Sequence, residues 1–342
     1  MEEKLSLGPK RIVALVLLVV IVAYAVISLL PVPTNFGDEN PTMTKSELPI
    51  LIAHGGGNRE FPDNTLEAFY NAYSVSKDVM METDVSITKD GVVILSHDTT
   101  IDRKTNETGA IADWNYSDLI AQRVDFGYTN PTKSGVLNGE RVKFTTDDGK
   151  NVTPLDVTYP EGVTPRDNEI FYATTLEELI AAFPNNLINV EIKQDGELGI
   201  RCLDAIIELL EEYDAFGRVV LASFHDGIYD EFCRRKDEGE LPESFMYSPG
   251  IMGVVGYYLL TTVGLDIFFG DGIAVLQLPT SEYGIKLATK RIVKSAHAHN
   301  IAVHYWTVND KDEMRELIGI GADGIMTDYP HRLAEVYAEY TE

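Results

Sequence analysis

Cysteine is scarce: the 342 residues hold two, Cys202 and Cys233. Two cysteines cannot staple a disulfide scaffold, and neither sits in a CxxC or Cys/His spacing that would hold zinc. Both fall in helix-like stretches and are read as free thiols. Basic residues are few as well, 28 Lys and Arg against 54 Asp and Glu, for a formal charge of −26. That balance excludes a nucleic-acid-binding surface, because a phosphate backbone needs a cationic partner. It describes a solvated acidic surface, on which an anionic substrate needs local help from a cation. Long uncharged apolar runs are limited to one, residues 12–30. As a helix it spans about 28 Å, close to a bilayer core. A second apolar stretch, 251–269, carries the single charge Asp266, but Gly253, Gly256 and Gly264 interrupt it. It reads as a buried barrel helix and loop, or else as a membrane-facing or acyl-chain surface near the barrel mouth.

Lys10 and Arg11 stand immediately before the long run; beyond it Asp38 and Glu39 precede the next cation, Lys45. The positive-inside rule puts residues 1–11 in the cytoplasm, 12–30 across the membrane as a single pass, and the large domain outside the cell. Ala23-Tyr24-Ala25 resembles a signal-peptide cleavage site. The run exceeds the usual ~7–15-residue apolar region of such peptides, which favours an uncleaved anchor. Pro31, Pro33 and Pro41 mark 31–48 as a stiff, extended linker to a domain over 49–342.

In that domain β-rich runs alternate with helical ones. The strands are predicted at 50–54, 79–85, 187–192, 219–223, 244–247, 273–278, 302–308 and 324–327. Helices are predicted at 65–76, 176–183, 198–213, 229–237, 285–299 and 311–318. The alternation reads as an α/β fold, a (β/α)₈ TIM barrel. Asp90-Gly91 between apolar runs signals a tight hairpin, adding an extra strand at 92–97 above the mouth. With a two-residue turn, Asp84 would stand opposite His97. Two insertions follow: 124–169, polar and turn-rich, expected to form a lid or rim, and 251–269.

His54, Glu82 and Asp84, Glu191, Ser223, Gln277, Trp306 and Thr327-Asp328 all fall at C-terminal ends of predicted strands, where barrel sites gather. Glu82 and Asp84, spaced i, i+2, share a strand face, and two histidines bracket them. His225, His297, His299, His304 and His331 read as structural.

The ordered set resembles the glycerophosphodiester phosphodiesterase family over roughly 50–335. It comprises His54-Gly55-Gly56, Pro62-Asp63-Asn64-Thr65, Glu82 to Val85, Thr88 to Gly91, His97-Asp98, Thr175 to Glu178, Glu191 to Lys193, Ser223-Phe224, Trp306 to Asn309 and Thr327 to Pro330. The resemblance implies a TIM barrel and a divalent cation held by Glu82, Asp84 and Glu191. It also implies catalytic histidines at His54 and His97, and a substrate contact at Trp306. All-oxygen ligands suit Mg²⁺ or Ca²⁺. The family's arginine after the first histidine is Gly55 here; Arg59, Arg103 and Lys193 are the cations that could replace it. Lys193 shares a strand face with Glu191 and could pair with carboxylates or touch phosphate. Trp306 could pack glycerol carbons, cover a choline head group or belong to the core. The leading expectation is metal-dependent hydrolysis of glycerophosphodiesters to glycerol phosphate and an alcohol, by histidine acid–base catalysis. The alternatives are phospholipase D-like hydrolysis of lysophospholipids or other membrane phosphodiesters, and a phosphate-ligand binding protein with impaired catalysis, which Gly55 favours.

Overall fold

The computed structural model describes residues 8–341 apart from 28, 38, 129–135 and 138–139. Part of the cytoplasmic segment expected at 1–11 and part of the insertion at 124–169 therefore lie outside the described residues.

Eight parallel strands form the barrel: β1 Ile50–His54, β2 Met80–Ile87, β3 Ile188–Ile192, β4 Val219–Ala222, β5 Met246–Tyr247, β6 Val275–Pro279, β7 Ala302–Trp306 and β8 Gly324–Thr327. Their spatial order is β5-β4-β3-β2-β1-β8-β7-β6. The outer pair is bridged where Ala274 N donates to Tyr247 O at 3.2 Å. Runs such as Ile50-Leu51-Ile52-Ala53 are apolar throughout because a parallel strand is covered on both faces. Besides a six-residue helix, Tyr116–Ala121, the α-helices are α1 Pro9–Ile27, α2 Leu66–Val75, α3 Leu176–Ala182, α4 Gly196–Glu212, α5 Asp226–Asp237, α6 Ile251–Val263, α7 Lys290–Ala298, α8 Lys311–Ile320 and α9 Pro330–Ala338. Thr175 and Glu178 start α3 with a reciprocal capping box.

The hairpin strand Val93–Leu95 pairs antiparallel with β2, but one residue out of the expected register. Thr88 N donates to Val92 O at 2.9 Å, so the loop holds three residues, with Gly91 at φ +87°. That left-handed conformation favours glycine. Ser96, not His97, stands opposite Asp84, its N–H donating to Asp84 O at 2.8 Å.

The stretch expected as a free linker packs on the barrel. Phe36 is buried with Ile52, Met80, Val220 and Met326 inside the N-terminal end of the barrel. Asn40 Nδ2 donates to Ala274 O at 2.7 Å, and His304 Nε2 donates to Thr42 O at 2.8 Å. Pro31 and Pro33 lie in chain without regular structure, whereas Pro41 sits in a turn closed by Met43 N donating to Asn40 O at 3.2 Å, so the stretch is not a stiff extended spacer; what it packs on is decided by residues far away in sequence.

The stretch 251–269 is α6 and a short turn of 3₁₀ helix, Asp266–Phe268. It does not form a loop over the mouth. α6 starts beside Tyr229 and Asp226 of α5 and runs down the barrel flank. α1 has no buried residue. Cys202 and Cys233 are unpaired.

Candidate active site

The C-terminal strand ends bring the candidate acids together. Asp84 on β2 is directly opposite Glu191 on β3, and Glu82 lies two residues earlier on β2, opposite Asn189. Glu82 and Asp84 are buried. Burial and the charge of Asp84 push Glu82 up to about 8, against the opposing pull of His54. Burial and Asp84 also raise Glu191. Like charges forced together out of water favour the protonated form, and this cluster is short of positive charge.

One cation already sits there. Lys193 Nζ donates to Glu191 Oε1 at 2.8 Å and lies 3.5 Å from Asp84 Oδ1. Among the described residues, no three His, Cys, Asp or Glu side chains are gathered closely enough to hold a metal ion as they stand. The donor set nevertheless fits a hard divalent cation: three carboxylates, all oxygen, on adjacent strands, two of them with raised pKa.

His54 ends β1. Its Nδ1 donates to Asp328 Oδ1 at 2.6 Å, and its Nε2 lies 4.0 Å from Glu82 Oε2. Burial alone would lower its pKa; Glu82 and the bond to Asp328 outweigh that and raise it to about 10. Asp328 is itself fixed, accepting from Asn309 Nδ2 at 2.7 Å while its backbone N–H donates to Asn309 Oδ1 at 3.0 Å. His97 is half-exposed, and its Nδ1 donates to Asp98 Oδ1 at 3.0 Å. That bond raises His97, against burial, with help from Asp84. Arg103 Nε donates to Asp98 Oδ2 at 2.6 Å. Each histidine thus has its own carboxylate, and both lie within reach of the charge of Asp84.

The three candidate phosphate cations separate. Lys193 is held by carboxylates. Arg103 is spent on Asp98 and lies 3.8 Å from Asp63. Arg59 lies on the His54 side: its Nη1 donates to Asp147 at 3.3 Å, and its Nε is 3.8 Å from Asp328 Oδ2. That Nε is buried without a hydrogen-bond partner, an arrangement a ligand oxygen would relieve. Asp147 belongs to the insertion at 124–169 and also accepts from the Tyr329 hydroxyl, so this part of the insertion forms a rim. Gly55, at φ +55°, donates its N–H to Glu82 Oε2 at 2.9 Å. A Cβ there would stand 3.1 Å from that of Asp63, so the position gives its space and its N–H to the carboxylate cluster. Trp306 is half-buried and packs edge-on against exposed Phe224, ring centroids 6.0 Å apart. Ser223, just past the end of β4, bonds to Ile192 O, whereas Gln277, expected at a strand end, lies in the middle of β6 and donates to Asn189 Oδ1.

Asn64, Asp98, Asn309 and Asp328 also belong to the site, and all stand inside the motifs that carry the family resemblance. Asn64 Nδ2 donates to Asp84 Oδ2 at 3.1 Å, while its Oδ1 accepts from Thr83 Oγ1 at 2.6 Å. Their signal was adjacency to the reactive residue types. Each of the five remaining histidines has a protein partner: His225 bonds to Lys193 O, His297 to Asp323, His299 to Pro33 O, His304 to Thr42 O and His331 to Glu60.

Residues 54–332 match the model of the glycerophosphoryl diester phosphodiesterase family. A glycerophosphodiester phosphodiesterase of Bacillus altitudinis is 25% identical over 293 residues, covering 84% of this chain and 98% of that protein. The lysophospholipase D GDPD1 of Homo sapiens is 26% identical over 299 residues, covering 83% of this chain and 84% of that protein. Among solved structures, a glycerophosphoryl diester phosphodiesterase domain from Mycobacterium tuberculosis aligns with TM-score 0.62 at 18% identity, covering 84% of this chain and 98% of that one. An Oleispira antarctica phosphodiesterase in complex with the product sn-glycerol-3-phosphate aligns with TM-score 0.59 at 19% identity, covering 85% and 97%. At these identities the structures establish the barrel fold.

Proposed function

The chain belongs to the glycerophosphoryl diester phosphodiesterase family, and from that premise we propose that it hydrolyses glycerophosphodiesters to glycerol phosphate and an alcohol. The observation that carries the chemistry is the pair of histidines, each oriented by its own carboxylate, on either side of Glu82, Asp84 and Glu191. One imidazole takes the proton of the glycerol hydroxyl next to the diester, and that oxygen bonds to phosphorus. The bond from phosphorus to the alcohol breaks as the other imidazole protonates the leaving oxygen. Water then opens the cyclic phosphate with the two histidines in exchanged roles, and both regain their starting protonation.

Glu82, Asp84 and Glu191 would hold the divalent cation, Mg²⁺ or Ca²⁺. Bound there, it would offset charge on the phosphoryl oxygens. Arg59 is the protein cation best placed to meet a phosphate oxygen, since its Nε lacks a partner. Arg103 acts through Asp98 on His97. Trp306 and Phe224 form an aromatic wall for the glycerol carbons or the leaving alcohol. α1 serves as a single-pass anchor, N-terminus inside, with the barrel outside; its uniformly exposed apolar surface supports this.

The experiment compares glycerophosphocholine with its analogue lacking the neighbouring glycerol hydroxyl, followed by phosphorus NMR. Glycerol phosphate should form from the first, and the analogue should be inert. Equal turnover of both would remove the internal nucleophile. Binding without turnover of either would point to a phosphate-ligand binding protein. A second reading, cleavage of lysophospholipids or other membrane diesters, is favoured by the exposed apolar residues of α6 and by α1. Preference for lysophosphatidylcholine over glycerophosphocholine would establish it.

A further inference from the structure

Helices around a barrel normally turn charge outward, and α4 does so. Arg201, Asp204, Glu208 and Glu211 are exposed while Cys202, Leu203, Ile206 and Leu210 are buried. α6 departs from this. Its inward face is ordinary: Tyr257 and Thr261 are buried, and the Tyr257 hydroxyl donates to Ser295 Oγ at 2.7 Å. Its outward face is apolar. Ile251, Met252, Val255, Leu259 and Val263 are all exposed, and the i, i+4 spacing lines up Ile251, Val255, Leu259 and Val263 as one stripe. Phe268, 63% exposed, extends it. The only charge from 250 to 270, Asp266, is engaged inward: it accepts from Ser295 Oγ at 2.7 Å and lies 3.6 Å from His299 Nε2. An uncharged apolar face of this extent marks a contact surface.

Its position indicates what covers it. The Tyr24 hydroxyl of α1 donates to Val263 O at 3.1 Å, at the C-terminal end of the stripe. The chain leaving α1 is fastened beside it: Asn35 Nδ2 donates to Phe269 O at 3.4 Å, and Gly272 N donates to Asn35 Oδ1 at 3.2 Å. The apolar face is therefore continuous with the helix read as a membrane span.

We propose that the outward stripe of α6 lies in the outer-leaflet interface beside α1, so that the barrel rests on this flank and its mouth opens along the membrane surface. The inference rests on reading residues 12–30 as an anchor. No Lys or Arg lies between 250 and 270, so the contact needs no anionic lipid; buried apolar area carries it. A second copy of the chain is the poorer occupant, because two molecules each of formal charge −26 repel.

The test uses the full chain in dioleoylphosphatidylcholine vesicles. Val255→Cys and Leu259→Cys on α6, and Glu208→Cys on the charged outward face of α4, each carry an environment-sensitive fluorophore. The unsubstituted protein reports background labelling of Cys233. The expected result is a blue shift at 255 and 259 with quenching by spin-labelled phosphatidylcholine, and neither effect at 208. Flotation with the vesicles reports the anchor separately. Protein that floats while 255 and 259 remain water-exposed would overturn the proposal and leave the anchor standing. A blue shift without lipid quenching that grows with protein density would overturn it in favour of a second copy. Failure to float would remove the anchor, and the proposal with it.

Discussion

An imidazole serves acid–base chemistry only when something fixes which nitrogen carries the proton. At His54 that group is Asp328, held by Asn309; at His97 it is Asp98, held by Arg103. Replacing His54 or His97 with alanine is expected to lower kcat by about 10²–10⁴-fold while the circular dichroism spectrum stays unchanged. Near-normal kcat in either variant would remove that residue from the reaction. Asp98→Asn should lower kcat with little change in KM, because it acts through His97 and does not hold substrate. A rise in KM alone would place Asp98 against the substrate. Lys104 and Asp63 form a buried ion pair beside this site. Lys104 is buried, and its Nζ lies 3.3 Å from Asp63 Oδ2. Burial pushes Asp63 up, but Lys104 and Arg103 hold it below the usual carboxyl range. A depressed carboxyl pKa contributes stability above the unfolded value, and that contribution is lost as pH falls through the folded one. Lys104→Met leaves the buried carboxylate only Arg103, 3.8 Å away, as a counter-charge, so it should cost up to about 3–5 kcal/mol at neutral pH. The gap to wild type should narrow below about pH 4 as Asp63 protonates. A gap independent of pH, read from denaturant unfolding, would show that lost packing and not lost charge pairing is responsible.

Among the elements, those with a strong local signal were legible in sequence. β1 and β8 have the predicted bounds, and most barrel helices lie within a few residues of theirs. The hairpin register was not legible. Asp90-Gly91 suggested a two-residue turn, yet the Asp90 carboxylate accepts from Thr88 Oγ1 at 2.6 Å and from Tyr116 N at 2.9 Å. That arrangement makes a three-residue loop, and the slip moves His97 out of the ladder. Such bonds depend on a residue 26 positions away. The packing of 33–44 was hidden for the same reason, since Asn40 and Thr42 bond to residues more than 230 positions later. Phe36, 7% exposed, fills the N-terminal end of the barrel. Phe36→Ala is expected to destabilise the detergent-solubilised protein by about 3 kcal/mol and to leave KM unchanged. A loss well below 1 kcal/mol would mean that this segment only rests on the barrel.

Across the whole molecule the barrel was legible because eight β-rich runs alternate with helical ones and the polar residues cluster at one end of the strands. The candidate site was legible as a set of residue types and less so as a geometry. Nothing in the sequence says that Lys193 bridges Asp84 and Glu191, that Arg103 turns away toward Asp98, or that Gly55 gives its N–H to Glu82. A molecule of formal charge −26 must draw an anionic diester to a cluster of acids, and protein cations there are few and mostly engaged. Turnover should therefore depend on a bound cation, which is read directly from release of glycerol phosphate from glycerophosphocholine by the full chain, before and after chelation. Activity should vanish with chelator and return on adding Mg²⁺ or Ca²⁺, and Glu82→Gln should block the return. Undiminished hydrolysis in chelator would contradict it.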